Sequence, residues 1–298
     1  MRFLIAGASG FLGTLLREEL GRQGHPVSAL VRRTPSAGHE IQWDPYEQPL
    51  APSVIDEHDV VVNLAGSATA GNPHSKKWAR ELEESRVTTT RVLAEAIAAS
   101  TSRPRFLAGN AIALFGQHGP DKITEESATV GGGLLTKVSV AWKAAAAPAE
   151  EAGAHVTYLC TAPIYDRRSQ PLSAVRLLFK AGLGGPMGDG LQHVGMISAR
   201  DWVDAVIHLA TAEVSGPVIL ATEEAPTNAE FTRELASQVG RPAFFKVPAF
   251  VLGPAAGELS VELLGSYRLV PAALLASGFT FSDPDVRTVL REGLMPSR

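Results

Sequence analysis

Three glycines, two arginines, an asparagine and a histidine are the residues whose types and spacing suggest chemistry. Gly7, Gly10 and Gly13 stand in Gly7-Ala8-Ser9-Gly10-Phe11-Leu12-Gly13, directly after the apolar run Phe3-Leu4-Ile5-Ala6. In such a loop the first glycine permits the tight turn off a strand. The second lets backbone N–H groups approach a pyrophosphate, and the third lets the following helix pack closely on the sheet. A helix start also carries unpaired N–H groups and partial positive charge, so Ser9, Phe11 and Leu12 join the glycines in one expected anion cradle. Arg32 and Arg33 follow the next apolar run, Val27 to Val31. An acid there would hold a ribose 2′-OH and repel a 2′-phosphate; guanidinium groups pair with that phosphate and stack on adenine, so the expected cofactor is NADP in preference to NAD.

The remaining candidates lie further along the chain. Phe106 to Phe115 is apolar except for Asn110 and closes at Gly116, as expected of a central strand. Ligands of open α/β sheets bind at the carboxyl ends of strands, so Asn110 is either a ligand contact or a buried amide satisfied by backbone. Leu64, Ala65 and Gly66 end another apolar run and should touch the cofactor. Tyr165, after Ala162-Pro163, reads as a substrate contact or a packed aromatic. His193, isolated in a glycine-rich stretch, reads as a catalytic group or as a structural one.

These residues need elements to position them. Phe3 to Ala6 is too short for a helix and suits a buried parallel strand. Leu12, Leu15, Leu16 and Leu20 share a helical face, with Gly24 as a left-handed stop. Val27–Val31, Ile41–Asp44, Asp59–Gly66, Phe106–Phe115, Val156–Leu159 and Pro217–Thr222 read as strands. Trp78, Leu82, Leu93 and Ile97 mark a long crossover helix over 78–99, whose charges read as a solvated face, with an inward-pointing Arg86 as the open alternative. The alanine-rich run from Leu134 to Glu151 is helical, with Pro148 kinking or restarting it. Ser198 to Asp201 and Thr227 to Glu230 read as capping boxes opening further helices, the second ending at Gly240. Phe244–Val247 and Phe279–Phe281 read as short strands. The order predicts an α/β protein: a Rossmann, doubly wound parallel sheet from residues 1–162 and 198–224, with a smaller C-terminal α/β substrate lobe from 163–197 and 225–298.

With 298 residues, 45% of them hydrophobic, the chain can bury a sizeable core. Its formal net charge of −4 and its lack of a lysine- or arginine-rich run argue against nucleic acid as a partner. Cys160 is the only cysteine. Neither an intramolecular disulfide nor a thiolate metal cluster can form, no metal site is expected, and the cytoplasm is the expected location. Arg2 precedes apolar residues as in a signal peptide, but the glycine loop interrupts the run, and no stretch reaches membrane-spanning length without charge. The expected partner is a small molecule, and a homodimer is compatible with the sequence.

Taken together, Gly7–Gly13, Asn63-Leu64-Ala65-Gly66, Glu84-Ser85-Arg86-Val87, the block from Gly184 to Gln192 and Pro226 to Phe231 resemble the extended short-chain dehydrogenase/reductases. The likeness is to their sugar-nucleotide-epimerase-like branch, within the NAD-dependent epimerase/dehydratase family, and it runs almost end to end. The resemblance implies a nicotinamide cofactor and a Tyr-x-x-x-Lys pair, in which tyrosine exchanges the proton and lysine lowers its pKa while holding the ribose. Ser139 falls at the tyrosine position and Lys143 at the lysine position, with the branch's tryptophan retained as Trp142. Asn110 replaces the strand-end serine, Leu114-Phe115-Gly116 a Tyr-Tyr-Gly, and Met196-Ile197-Ser198 a Trp-Ile-His. An aliphatic hydroxyl is a far poorer proton relay than a phenol.

Three readings follow. The chain is an NADP-dependent oxidoreductase or epimerase-like enzyme acting on a small organic substrate between the lobes, or an NADP-binding sensor without turnover, or a non-redox dehydratase or cyclase reusing the pocket. The candidate catalytic set is Lys143, Tyr165, Ser139, Asn110 and His193. The cofactor set is Gly7, Ser9, Gly10, Phe11, Leu12, Gly13, Arg32, Arg33, Leu64, Ala65, Gly66 and Lys143.

Overall fold

A computed structural model describes residues 1–69, 71–243 and 265–295. Its first half alternates strand and helix: β1 (Phe3–Ala6), α1 (Phe11–Arg22), β2 (Val27–Val31), β3 (Glu40–Gln42), α2 (Pro52–Asp56), β4 (Val60–Asn63), α3 (Lys76–Ala99) and β5 (Arg105–Ala111). Then come β6 (Lys122–Ile123), α4 (Leu134–Ala144), α5 (Ala147–Glu151), β7 (Val156–Thr161), α6 (Gln170–Lys180), α7 (Ala199–Leu209) and β8 (Gly216–Leu220). The last described elements are α8 (Asn228–Val239), β9 (Arg268–Leu269), α9 (Ala272–Ala276) and α10 (Val286–Leu294).

Seven strands form one sheet in the order β3-β2-β1-β4-β5-β7-β8, and every neighbouring pair is parallel. β1 and β4 are buried along their whole length, because α1 and α7 pack together on one face and α3, α4 and α5 on the other. The chain leaves β1 toward β2 on one side and reaches β4 on the other, so the glycine loop opens at the point where strand order reverses. That is where open α/β sheets form their ligand crevice.

Local sequence accounts for the helix limits. α4 ends at Ala144, and Pro148 sits in the first turn of α5, where its missing N–H costs no helical hydrogen bond. The Thr227–Glu230 capping box is complete: the Thr227 hydroxyl accepts from the Glu230 N–H at 3.2 Å and the Glu230 carboxylate accepts from the Thr227 N–H at 2.8 Å. Gly240, at φ 65°, stops α8 in the left-handed conformation.

The box expected at Ser198 is only half formed. Ser198 Oγ caps α7 by accepting from the Asp201 N–H, but the Asp201 carboxylate turns away and accepts the N–H groups of Ser282 and Asp283 at 2.9 and 2.8 Å. Two distant N–H groups thus compete successfully with the one nearby. The strand expected over Phe279–Phe281 is likewise absent. Those residues run without strand pairing between α9 and α10, and the two rings meet edge to face at 4.9 Å. The Phe244–Val247 expectation lies outside the described residues.

A second apolar cluster gathers Tyr165, Leu172, Phe179, Met196, Phe231, Leu235, Val289 and Leu290. It unites α6, α8 and α10 away from the main sheet. A two-stranded parallel sheet, β6 with β9, ties the stretch after β5 to the C-terminal region.

Candidate functional site

The site grows from the carboxyl ends of β1, β4 and β5. Gly7 turns the chain at φ 82°, and a Cβ there would lie 2.6 Å from the Leu64 carbonyl carbon, so the glycine loop rests directly on the turn that follows β4. A Cβ on Gly13 would lie 2.2 Å from the Gly7 oxygen, which sets how closely α1 approaches its own loop. α1 begins at Gly10 with no side-chain cap and no acid in its first turn. Its first N–H groups and the positive end of its dipole are therefore uncompensated.

The β4 turn is fixed by a buried polar network. Asn63 Nδ2 donates to Thr90 Oγ1 at 2.8 Å and Asn63 Oδ1 accepts from the Ala65 N–H at 3.0 Å. Trp142 Nε1 donates to the same Thr90 oxygen at 2.8 Å. One threonine therefore joins the Leu64–Gly66 turn, α3 and α4, each bond contributing about 0.5–1.5 kcal/mol net. Gly109 makes room for the indole, since a Cβ there would lie 2.8 Å from the Trp142 ring. A threonine run inside a helix, a residue type that gains little there from helix propensity alone, is the sequence signal for this network.

Asn110 and Ser139 are brought together, and the Lys143 side chain is directed to Tyr158. Asn110 is 3% exposed; its Nδ2 donates to the Ser139 carbonyl at 3.2 Å and its Oδ1 accepts from the Ala111 N–H. Both amide groups are thus engaged by backbone. Ser139 is 2% exposed. One turn on, the Lys143 ammonium lies over the Tyr158 ring, 5.1 Å from its centroid, and burial pushes the Tyr158 phenol well above its usual range.

Tyr165 and His193 stand elsewhere. Tyr165 belongs to the second cluster, edge-on to Phe231 at 5.2 Å, and burial raises its phenol pKa strongly. His193 Nδ1 bonds the Ala225 carbonyl at 2.9 Å, and its backbone pairs with Ser266 and Tyr267. It fastens the glycine-rich stretch to the segment before α8.

The two arginines after β2 differ. Arg33 forms an ion pair with Glu40 and also donates to Thr34 O and Ser36 Oγ at 3.0 Å. The pair and the Ser36 N–H hold the Glu40 carboxyl down at about 2. Arg32 is exposed and has no hydrogen bond or ion pair among the described residues.

Of the two positions open to Arg86 from the sequence, solvated or inward, it takes the inward one, partly buried against Gly66 and stacked 5.2 Å over the Trp142 ring. Among the described residues no group of three or more His, Cys, Asp or Glu is placed to hold a metal, and no helix is long and apolar enough to cross a membrane.

A parallel sheet with a glycine loop at its switch point and a helix bearing lysine across β5 and β7 is the framework of a nicotinamide-dinucleotide fold. Residues 3–221 match the model of the NAD dependent epimerase/dehydratase family, and the chain belongs to that family. Residues 247–292 match a separate Domain of unknown function (DUF1731). The chain is similar to "Epimerase family protein Mb2239" of Mycobacterium bovis, 34% identical over 93% of this chain and 92% of the relative. It is also similar to "Epimerase family protein SDR39U1" of Mus musculus, 31% identical over 98% and 99% of the two chains. Among solved structures, the human epimerase family protein SDR39U1 (isoform 2) with NADPH superposes with a TM-score of 0.87 at 27% identity, covering 98% of this chain and 99% of that one.

Proposed function

We propose that the protein binds NADP(H) at the β1–α1 loop and acts as an oxidoreductase or epimerase-like enzyme on a small organic substrate between the main sheet and the second cluster. The observation that carries this reading is the Gly7–Gly13 cradle itself. It is backbone-lined, leaves no room for a Cβ at Gly7 or Gly13, and is topped by an uncapped helix start. These features suit a pyrophosphate, and the relative solved with NADPH supports the choice of nucleotide.

In this reading Gly7 and Gly10 form the turn, the Gly10 N–H donating to the Gly7 carbonyl at 3.0 Å, and the N–H groups of Ser9, Phe11, Leu12 and Gly13 receive the pyrophosphate. Arg32, having no partner among the described residues, takes the 2′-phosphate, while Arg33 shapes the loop through Glu40. Leu64, Ala65 and Gly66 bound the cleft on the β4 side, and Lys143 contributes positive potential and a donor for ribose hydroxyls. The bound cofactor supplies or accepts hydride. Proton exchange is the weak step in this chain: Ser139 and Tyr165 are both buried, at 2% and 8% exposure, and an aliphatic hydroxyl is a poor relay.

That burial supports two alternatives, one in which the cofactor is held without turnover and one in which the cleft serves a non-redox dehydratase or cyclase. Calorimetric titration with NADPH and NADH tests the cofactor assignment, and absence of NADPH binding rejects it. NADPH oxidation followed against a panel of carbonyl compounds separates turnover from binding alone.

A further inference from the structure

Arg86 is a cation placed where a charge is costly, and the described residues do not neutralise it. Its aliphatic stem and guanidinium occupy the space left by the missing side chain of Gly66. A Cβ there would lie 3.2 Å from Arg86 Cγ and 3.4 Å from both Cζ and one terminal nitrogen. Its other side stacks on Trp142. That indole in turn rests on Gly109 of β5 and is pinned by Thr90. The guanidinium therefore stands between the exits of β4 and β5, beside the Leu64–Gly66 turn on which the glycine loop sits.

Its hydrogen bonds leave it unfinished. One terminal nitrogen donates to the Leu82 carbonyl at 3.0 Å and the other to Thr69 Oγ1 at 3.1 Å, both neutral acceptors. A guanidinium carries five N–H donors. No carboxylate lies within ion-pair distance among the described residues. Its helix neighbours Glu83 and Glu84 are exposed. Removal from water without a counter-charge pulls its pKa down to about 10. A stacked, pre-oriented guanidinium with spare donors is suited to paired oxygens of a carboxylate or phosphate.

We propose that Arg86 is the anion receptor of the cleft, taking a carboxylate or phosphate group of the ligand seated between the β4 turn and α4. The inference rests on the cleft being the ligand site, as in the proposed function. It narrows the substrate to a small organic compound with an acidic group, unless the anion received is one of the cofactor's own phosphates.

The test uses the full chain with 15N-labelled arginine. The Arg86 side-chain N–H resonance is identified by its loss in Arg86→Lys and followed with oxalate, inorganic phosphate and NADPH. A shift of that resonance on adding oxalate or phosphate to NADPH-saturated protein, together with calorimetric binding of the same anion that is weakened at least about tenfold in Arg86→Lys and lost in Arg86→Gln, assigns the receptor to a substrate anion. A shift with NADPH alone, with oxalate competing against NADPH, assigns it to a cofactor phosphate. No shift with any of the three overturns the proposal, and once the resonance is identified this readout is made on the parent protein alone. NADPH binding by calorimetry without a response at Arg86 rejects the receptor and leaves the cofactor reading standing; a response to oxalate without NADPH binding does the reverse.

Discussion

The Lys143 ammonium rests over the Tyr158 ring at 5.1 Å, one helical turn past Ser139 and toward the middle of the sheet. The contact orients the lysine without neutralising it, because the buried phenol stays protonated. Lys143→Ala is expected to lower any NADPH-dependent turnover by about 10²-fold, through loss of a donor and of positive potential. Ser139→Ala should leave turnover unchanged, and Tyr158→Phe should keep the lysine in place. Steady-state oxidation of NADPH checks all three, and full activity in Lys143→Ala would remove the lysine from the site.

Arg32 and Arg33 should separate in their effects. Arg32→Ala is expected to weaken NADPH by about 1.5–3 kcal/mol, the value of a charge-assisted contact, and to leave NADH affinity unchanged. Arg33→Ala should disturb both nucleotides modestly by releasing Glu40 and the Thr34–Ser36 turn. Calorimetry with the two nucleotides distinguishes the variants, and equal losses for NADPH and NADH in Arg32→Ala would contradict a 2′-phosphate contact.

Two glycines of α1 offer a matched comparison. A methyl on Gly13 would strike the Gly7 oxygen at 2.2 Å, whereas one on Gly21 meets nothing within 4 Å. Gly13→Ala should destabilise the fold by about 1–3 kcal/mol and abolish nucleotide binding, because backbone cannot yield there as a flexible side chain can. Gly21→Ala should stabilise by about 0.5–1 kcal/mol through helix propensity. Chemical denaturation with and without NADPH reads both.

Asp201 gives a pH signature. Burial raises its pKa from 3.8 to about 6, against the opposing N–H bonds from Ser282 and Asp283. Asp283 and Arg200 lie close by, and burial also raises the Asp204 carboxyl. A carboxyl whose folded pKa exceeds its unfolded value binds more protons in the folded state. Its contribution therefore favours folding most at low pH and declines as pH rises from about 4 to about 6. Asp201→Asn should remove this component. Stability measured at pH 4.5 and 7 in both proteins tests it: an identical pH dependence would mean that Asp201 does not titrate in that range.

What the sequence disclosed was local. The strand, glycine loop and helix from Phe3 to Arg22, and the reciprocal cap of Thr227 and Glu230, depend on neighbours a few residues apart. What it concealed depends on distant partners. Arg86 falls on the inward face of its helix, four residues after Leu82 and four before Thr90, but its charge argues for solvent, and only Gly66 and Trp142 show what receives it. Tyr165 follows a strand end as a ligand contact would, yet Phe231 draws it into a separate core. Ser198 has its acid three residues on, but the acid answers to N–H groups at 282 and 283.

The strand order also bears on synthesis. β8 completes the sheet against β7, but α6 and α7 emerge between them. On a ribosome adding about 5–20 residues each second, the outer edge of β7 waits several seconds for its partner. During that interval its unpaired backbone groups can template association with another chain. Nascent chains that stop short of β8 consequently present the β7 edge for pairing.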